Sequence, residues 1–145
     1  MKLTIELVPQ TCWYSNVRSN VTTKQWDVIR RKCYEKANSR CEICNGVGNK
    51  HPVECHEIWD YDDINHIQTL IGLIALCPSC HMTKHVGLSQ MRGQMGAVIN
   101  QLMKVNGMNR NETLALIDDA FRQWESRSQY DWKLNISYLD TYLKD

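Results

Sequence analysis

The stretch Val53–His85, VECHEIWDYDDINHIQTLIGLIALCPSCHMTKH, decides the reading of this chain, because it gathers four of the five histidines and three of the seven cysteines. Side chains of that kind, concentrated in one run, point to metal binding more than to a disulfide framework. Upstream, Cys41-Glu42-Ile43-Cys44 repeats the CxxC spacing of Cys77-Pro78-Ser79-Cys80. Each CxxC reverses the chain tightly and offers two sulfurs, so the two knuckles suit one tetrahedral structural zinc on Cys41, Cys44, Cys77 and Cys80. The competing reading is a thiol-disulfide site, which needs only one such pair. The interval between the knuckles exceeds the roughly 15–20 residues of a simple ribbon and leaves room for a β-hairpin whose base the zinc would clamp.

Inside that interval, Val53 to Trp59 follows Pro52 and reads as a strand, Asp60-Tyr61-Asp62-Asp63 as an acidic turn, and Ile67 to Leu76 as the return strand, with Gly72 in its middle. Pro78 suits the first turn of a helix carrying His81 and His85, with Gly87 as its stop. Two histidines four apart share a helix face and can hold one ion or one phosphate. His56 lies across the predicted hairpin, so a strand histidine set against the helix pair would place a base and a metal site in one cleft. His51 and His66 read as surface or supporting residues.

Outward from this segment, Thr22 with Gln25 makes a capping box for a helix to about Ala37, with Trp26, Ile29 and Cys33 on one face. Lys24, Arg30, Arg31, Lys32, Lys36 and then Arg40 gather the positive charge; they are either a solvated helix face or a grip on phosphates beside the metal segment. Lys2–Leu7 alternates and predicts a short strand with Leu3, Ile5 and Leu7 inward. The connector Gln10 to Asn20 holds Cys12-Trp13-Tyr14 and Arg18, which pack under the helix or lie along nucleic acid as an aromatic-basic arm. Cys12 and Cys33 read as buried thiols without chemistry. Met91 to Met103 predicts a helix ended by Asn106-Gly107. Asn111 to about Arg127 predicts another, capped by Asn111, with Leu114, Ile117, Ala120, Phe121 and Trp124 inward. The tail from Tyr130 to Leu139 adds a strand or docks a last turn.

A chain of 145 residues has room for one domain, or for a small one with an appendage. The divisions expected are 1–40, an N-terminal strand and basic helix; 41–87, the zinc-stapled core; and 88–145, a helical extension packed on that core. A formal net charge of +1 argues against a broad electrostatic coat for nucleic acid. No apolar run reaches the roughly 18 residues of a membrane helix, and Met1 to Leu7 lacks a signal-peptide core. An intracellular protein with no membrane partner is expected.

From Cys41 to His85 the chain resembles the HNH endonucleases, in the version of their ββα-metal fold that carries two CxxC knuckles. The resemblance implies an α+β fold with a treble-clef-like ββα-metal core, a basic helix before it and helices after it. It implies His56 as general base, His81 as ligand of a catalytic ion, and His85 as the second helix histidine of some members. Cys55 falls where an aspartate or histidine usually binds that ion, and Gly72 falls where the central asparagine is expected. A thiolate there favours a softer ion than Mg2+; Glu54, Glu57 or one of Asp60, Asp62 and Asp63 is the alternative oxygen donor. Asn65, Gln68 or a backbone carbonyl is the alternative to the asparagine. The implied activity is metal-dependent hydrolysis of DNA to 5′-phosphate and 3′-hydroxyl ends in a bacterial or phage-infected cytoplasm. It would use structural Zn2+ and a catalytic Mg2+, Mn2+, Ni2+ or Zn2+. DNA is the implied partner, with Lys24, Arg30, Arg31, Lys36 and Arg40 as contacts and a homodimer left open. The alternative is a zinc-stapled nucleic-acid-binding or interaction module with little or no turnover.

Overall fold

The computed structural model describes residues 2–12 and 16–143 of an α+β chain. Its elements, after a short 3-10 turn at Arg18–Asn20, are α1 (Thr23–Lys36), β1 (Glu54–Asp62), β2 (Ile67–Leu76), α2 (Pro78–Lys84), α3 (Val86–Met91), α4 (Met95–Asn106), α5 (Arg110–Arg127), β3 (Lys133–Asn135) and α6 (Leu139–Leu143).

β1 and β2 form the expected antiparallel hairpin, Glu54 opposite Leu76 at its base and Asp62 opposite Ile67 at its tip. The register slips between Ile58 and Trp59, so that Ile71 has no partner. Gly72 sits beside this bulge, and a Cβ on it would come within 3.3 Å of Ile58 Cδ1. The acidic run is not the turn: Asp60, Tyr61 and Asp62 continue β1. The reversal comes after them, where Asp62 Oδ1 accepts from the backbone N–H of Ile64 and Asn65, both at 3.0 Å. Such local carboxylate bonds favour turns over ladders. The tail supplies both elements weighed for it, because β3 joins β2 in parallel and α6 packs on α1. The sheet order β1-β2-β3 leaves β1 at the edge.

α1 starts at the capping box read from the sequence, with both Thr22–Gln25 bonds formed. Lys2–Leu7, by contrast, forms no strand. Leu3 and Ile5 are buried as the alternation predicts, but a side chain replaces the partner strand. Asn106 Oδ1 accepts from Lys2 N and Leu3 N, and its Nδ2 donates to Leu3 O at 2.7 Å. α2 ends at Lys84, His85 breaks the helix, and α3 begins at once, so Gly87 lies inside a helix instead of stopping one. α4 does end at Gly107, whose φ of +65° places it in the left-handed region that glycine adopts without strain. α5 starts at Arg110, one residue earlier than expected, capped by Asn109 instead of Asn111 with Glu112 in a second capping box, and Leu114, expected inward, faces solvent.

A single apolar cluster joins these elements, running from Leu3 through Ile29, Leu70, Leu73 and Leu76 to Val98, Leu102, Ile117 and Leu139. Fully burying one such aliphatic side chain contributes about 1.5–3 kcal/mol. No described helix is long and apolar enough to cross a membrane.

Candidate metal centres

The first centre is the cysteine cluster. In the first knuckle the backbone folds back on itself, Asn45 N donating to Cys41 O at 2.9 Å and Cys41 N to Gly46 O at 3.0 Å, with Asn45 at φ +63°. Ala75 N donates to Glu42 Oε2 and Glu42 N to Ala75 O, which docks the knuckle on the end of β2. The link to the hairpin passes so close to α2 that a Cβ on Gly48 would lie 2.2 Å from His51 O and 2.7 Å from the Pro78 ring. In the second knuckle, Cys77 is the N-cap of α2 and Pro78 starts its first turn. The ligand atoms of Cys41, Cys44, Cys77 and Cys80 all lie within 4.8 Å of one another, the Cys44 and Cys77 sulfurs at 3.5 Å. The edge of a tetrahedron of roughly 2.3 Å zinc–sulfur bonds is about 3.8 Å, so the four residues fit a tetrahedral thiolate site.

The surroundings stabilise thiolate unevenly. Burial pushes the Cys41 thiol up, yet backbone N–H groups of Cys44, Cys77 and Ile43 outweigh it and bring the group down to about 7. Burial pushes Cys77 and Cys80 up, although Gln101 Nε2 donates to Cys80 Sγ at 3.3 Å from α4. Charge from the neighbouring cysteines adds to that rise. Four thiolates at this spacing repel one another and need a cation between them. These residues could hold one structural metal ion.

The second centre is built from imidazoles. His56 and Glu54, two apart on β1, share one face of the hairpin, and α2 brings His81 and His85 against it. The three histidine ligand atoms lie within 4.8 Å of one another. The His56 ring stands 5.3 Å from each of the other two, edge-on, and His85 Nε2 is 3.0 Å from His81 Nε2. Glu54 Oε2 bonds His81 Nδ1, which leaves Nε2 as the nitrogen facing the other imidazoles. Burial, followed by the charges of His85, His81 and Lys84, pushes His56 down to about 2. Burial and His81 push His85 down to about 4. Both rings are therefore neutral at neutral pH, with lone pairs available for a metal.

This cluster opens onto a cavity of about 1230 Å³, lined among others by His56, His85, Lys84, Trp59, Phe121 and Trp124. The N-terminal segment walls it with Lys2, Thr4, Glu6, Leu7 and Val8. The alternation read there as a strand thus serves two surfaces, Leu3 and Ile5 in the core and Thr4 and Glu6 at the cavity.

The remaining expected site residues are placed as follows. Cys55 is not brought to the histidines, because strand alternation turns it to the opposite face of β1 from His56. There a hydrogen bond with Cys33 of α1, reinforced by burial, pushes its thiol up. Glu57 points to that same opposite side, where its Oε1 accepts from Val17 N at 3.2 Å. Asn65 Nδ2 is bonded to Asp62 Oδ2 at the hairpin tip, and Gln68 Oε1 accepts from Cys12 Sγ, so neither amide stands in for an asparagine at the histidines. Asp63 pairs with Arg127. Of the basic residues, Lys24 and Arg31 are exposed. Arg30 pairs with Asp27 at 2.9 Å, Lys36 Nζ donates to Leu73 O at 3.1 Å, and Arg40 donates to Asn45 O at 3.2 Å. Arg18, Arg30, His51 and Trp26 line a second cavity of about 600 Å³. Trp13 and Tyr14 of the aromatic-basic arm lie outside the described residues. Sequence reading passed over Lys84, although its place three residues after His81 puts it on the same side of α2. No protein-family model matches the chain, and neither a curated protein nor a solved structure shows significant similarity to it.

Proposed function

We propose that the chain is a metal-dependent endonuclease of the HNH type, its ββα-metal core formed by β1, β2 and α2 and stapled by structural Zn2+ on Cys41, Cys44, Cys77 and Cys80. The observation that carries this reading is the convergence of His56 from a hairpin strand with His81 and His85 from the following helix, at the mouth of a large cavity. The helix histidines are the ligands proposed for the catalytic ion, which when bound neutralises charge on the phosphate and on the leaving oxygen. Their all-nitrogen donor set favours Zn2+, Mn2+ or Ni2+ over Mg2+, whose preference is for oxygen.

In this reading His56 takes a proton from the attacking water as that water's oxygen bonds to phosphorus. The bond between phosphorus and the 3′ oxygen breaks, the 3′ oxygen gains a proton, and the products carry 5′-phosphate and 3′-hydroxyl ends. Glu54 fixes the orientation of His81 through Nδ1. Lys24 and Arg31 are the free-standing candidates among the basic residues for contacts to the DNA backbone.

The test is cleavage of supercoiled plasmid by the purified chain with each of the four ions, beside His56→Ala. The variant is expected to retain its ions and to cut 10²–10⁴-fold more slowly. If no ion supports nicking, or the variant cuts as fast as the parent, the nuclease reading is wrong. A second reading draws on the same crowding: all three imidazoles bind one ion together, in a zinc-stapled binding or interaction module without turnover. His56→Ala would then lose that ion.

A further inference from the structure

Lys84 is a buried cation beside the histidine cluster that the chemistry above does not use. It is 8 % exposed, follows His81 by three residues and precedes His85 by one on the helix that faces the cleft. Its Nζ donates to Thr4 Oγ1 at 3.0 Å and to Glu6 Oε2 at 2.9 Å. An ammonium has three donors, and among the described residues Lys84 has no third partner.

A staple between α2 and the N-terminal segment does not require a charge in this place. An ion pair whose carboxylate is 44 % exposed is weakened by solvent screening, and a well-packed apolar pair often serves as well as a buried ion pair. The segment is also held independently, by Asn106 and by the buried Leu3 and Ile5. What the ammonium adds is positive charge in the wall of the cavity that His56 and His85 also line. Glu6 lines the same cavity, and its Oε2 bonds the ammonium in the way a phosphate oxygen would.

We infer that Lys84 binds a phosphate of the substrate in this cleft, and that Glu6 is the counter-ion which the phosphate displaces. The inference rests on the nuclease reading for the identity of the ligand as DNA. An N-terminal anchor and a phosphate site make opposite demands on Glu6, and that difference decides between them. If Lys84 only anchors the segment, removing the Glu6 charge harms the cleft as removing Lys84 does. If Lys84 binds phosphate, removing the Glu6 charge releases the ammonium and strengthens binding.

The experiment is the affinity of the whole zinc-loaded chain for a short fluorescent duplex, without added divalent ion, over a range of salt concentrations. Lys84→Met is expected to weaken binding and to lower the slope of log affinity against log salt by about one. Lys84→Arg is expected to keep the slope, which separates loss of charge from loss of folding. Glu6→Gln is expected to tighten binding several-fold. An unchanged slope in Lys84→Met, equal or weaker binding in Glu6→Gln, or no duplex affinity in the parent chain overturns the inference. A parent that binds in this manner but cuts with no ion overturns the nuclease reading and leaves the phosphate site standing.

Discussion

The two candidate metal centres share one short segment, Cys77 to His85, yet their surroundings are opposed. Cys41, Cys77 and Cys80 are buried, backbone N–H groups point at the sulfurs, and α4 closes over the cluster through Gln101. His56 and His85 instead line a cavity of about 1230 Å³ with largely apolar walls. Structural metal sites are closed by four protein ligands, whereas catalytic ones keep a position open for water or substrate. Under the proposed nuclease reading, one helix start would serve both kinds: its first turn carries Cys80 of the cysteine cluster, and its next turn leads to the histidine cluster.

Removing a ligand from each centre tests that contrast with the largest expected effect. Cys80→Ser should lose one equivalent of zinc and unfold the hairpin region. Structural zinc supplies about 10–16 kcal/mol in small zinc peptides, comparable with the roughly 5–15 kcal/mol that holds a whole domain. His81→Ala should lose its ion with the fold retained. Metal analysis alongside circular dichroism melts checks both; a folded Cys80→Ser with its zinc intact would break the distinction.

Gly48→Ala probes the closed centre without touching a ligand. The added Cβ meets backbone at His51 and the ring of Pro78, so the first knuckle must move away from α2. Overpacking of this kind costs about 1–3 kcal/mol. The urea midpoint should fall with an unchanged slope, and zinc should exchange faster into a chelator. A variant as stable as the parent would mean that the link is free to shift.

Glu54→Gln probes the open centre in the same indirect manner. It removes the charge that bonds His81 Nδ1, and loss of such an outer partner typically costs 10–100-fold in metal affinity. Titration calorimetry with Mn2+ or Zn2+ should show that loss while the cysteine-bound zinc remains at one equivalent. Equal affinity in the variant would remove Glu54 from the site.

What could be read in advance follows the range of the forces involved. The CxxC knuckles, the hairpin, the Thr22 capping box and the His81–His85 pair are set by neighbours within a few residues, and each is found in the structure, the hairpin with its reversal after the acidic run instead of within it. The N-terminal alternation announced burial correctly but not its partner, because that partner is the side chain of Asn106, about a hundred residues away. β3 pairs in parallel over three residues, a long-range contact with no local mark. The break at His85 has no glycine or proline to signal it. Asn109 with Glu112 spells a capping box that is legible in the sequence, two residues ahead of Asn111. Strand alternation separates Cys55 from His56 and favours Glu54, the residue found against His81.

The smallest expected effect lies at the far end of the hairpin, away from both centres. There Arg127 bonds Asp63 through Nε at 2.8 Å and through a second nitrogen at 3.0 Å, and its guanidinium lies 4.5 Å over the Tyr61 ring. The hydrogen bonds from Arg127 hold the Asp63 carboxyl below its usual range. A carboxylate with a depressed folded-state value contributes stability in full above its unfolded value, about 3.9, and loses it as pH falls through the folded one. Asp63 is mostly exposed, so the pair is worth about 0.2–1 kcal/mol. Asp63→Asn should therefore melt slightly below the parent at neutral pH, and the two curves should converge as the solution is acidified below about pH 4. The zinc content should stay the same in both, because the knuckles hold the other end of the hairpin. If the variant lost zinc or lowered stability by several kcal/mol, the tip and the base of the hairpin would be one cooperative unit, and the closed centre would owe its rigidity to Arg127 as well as to its four thiols.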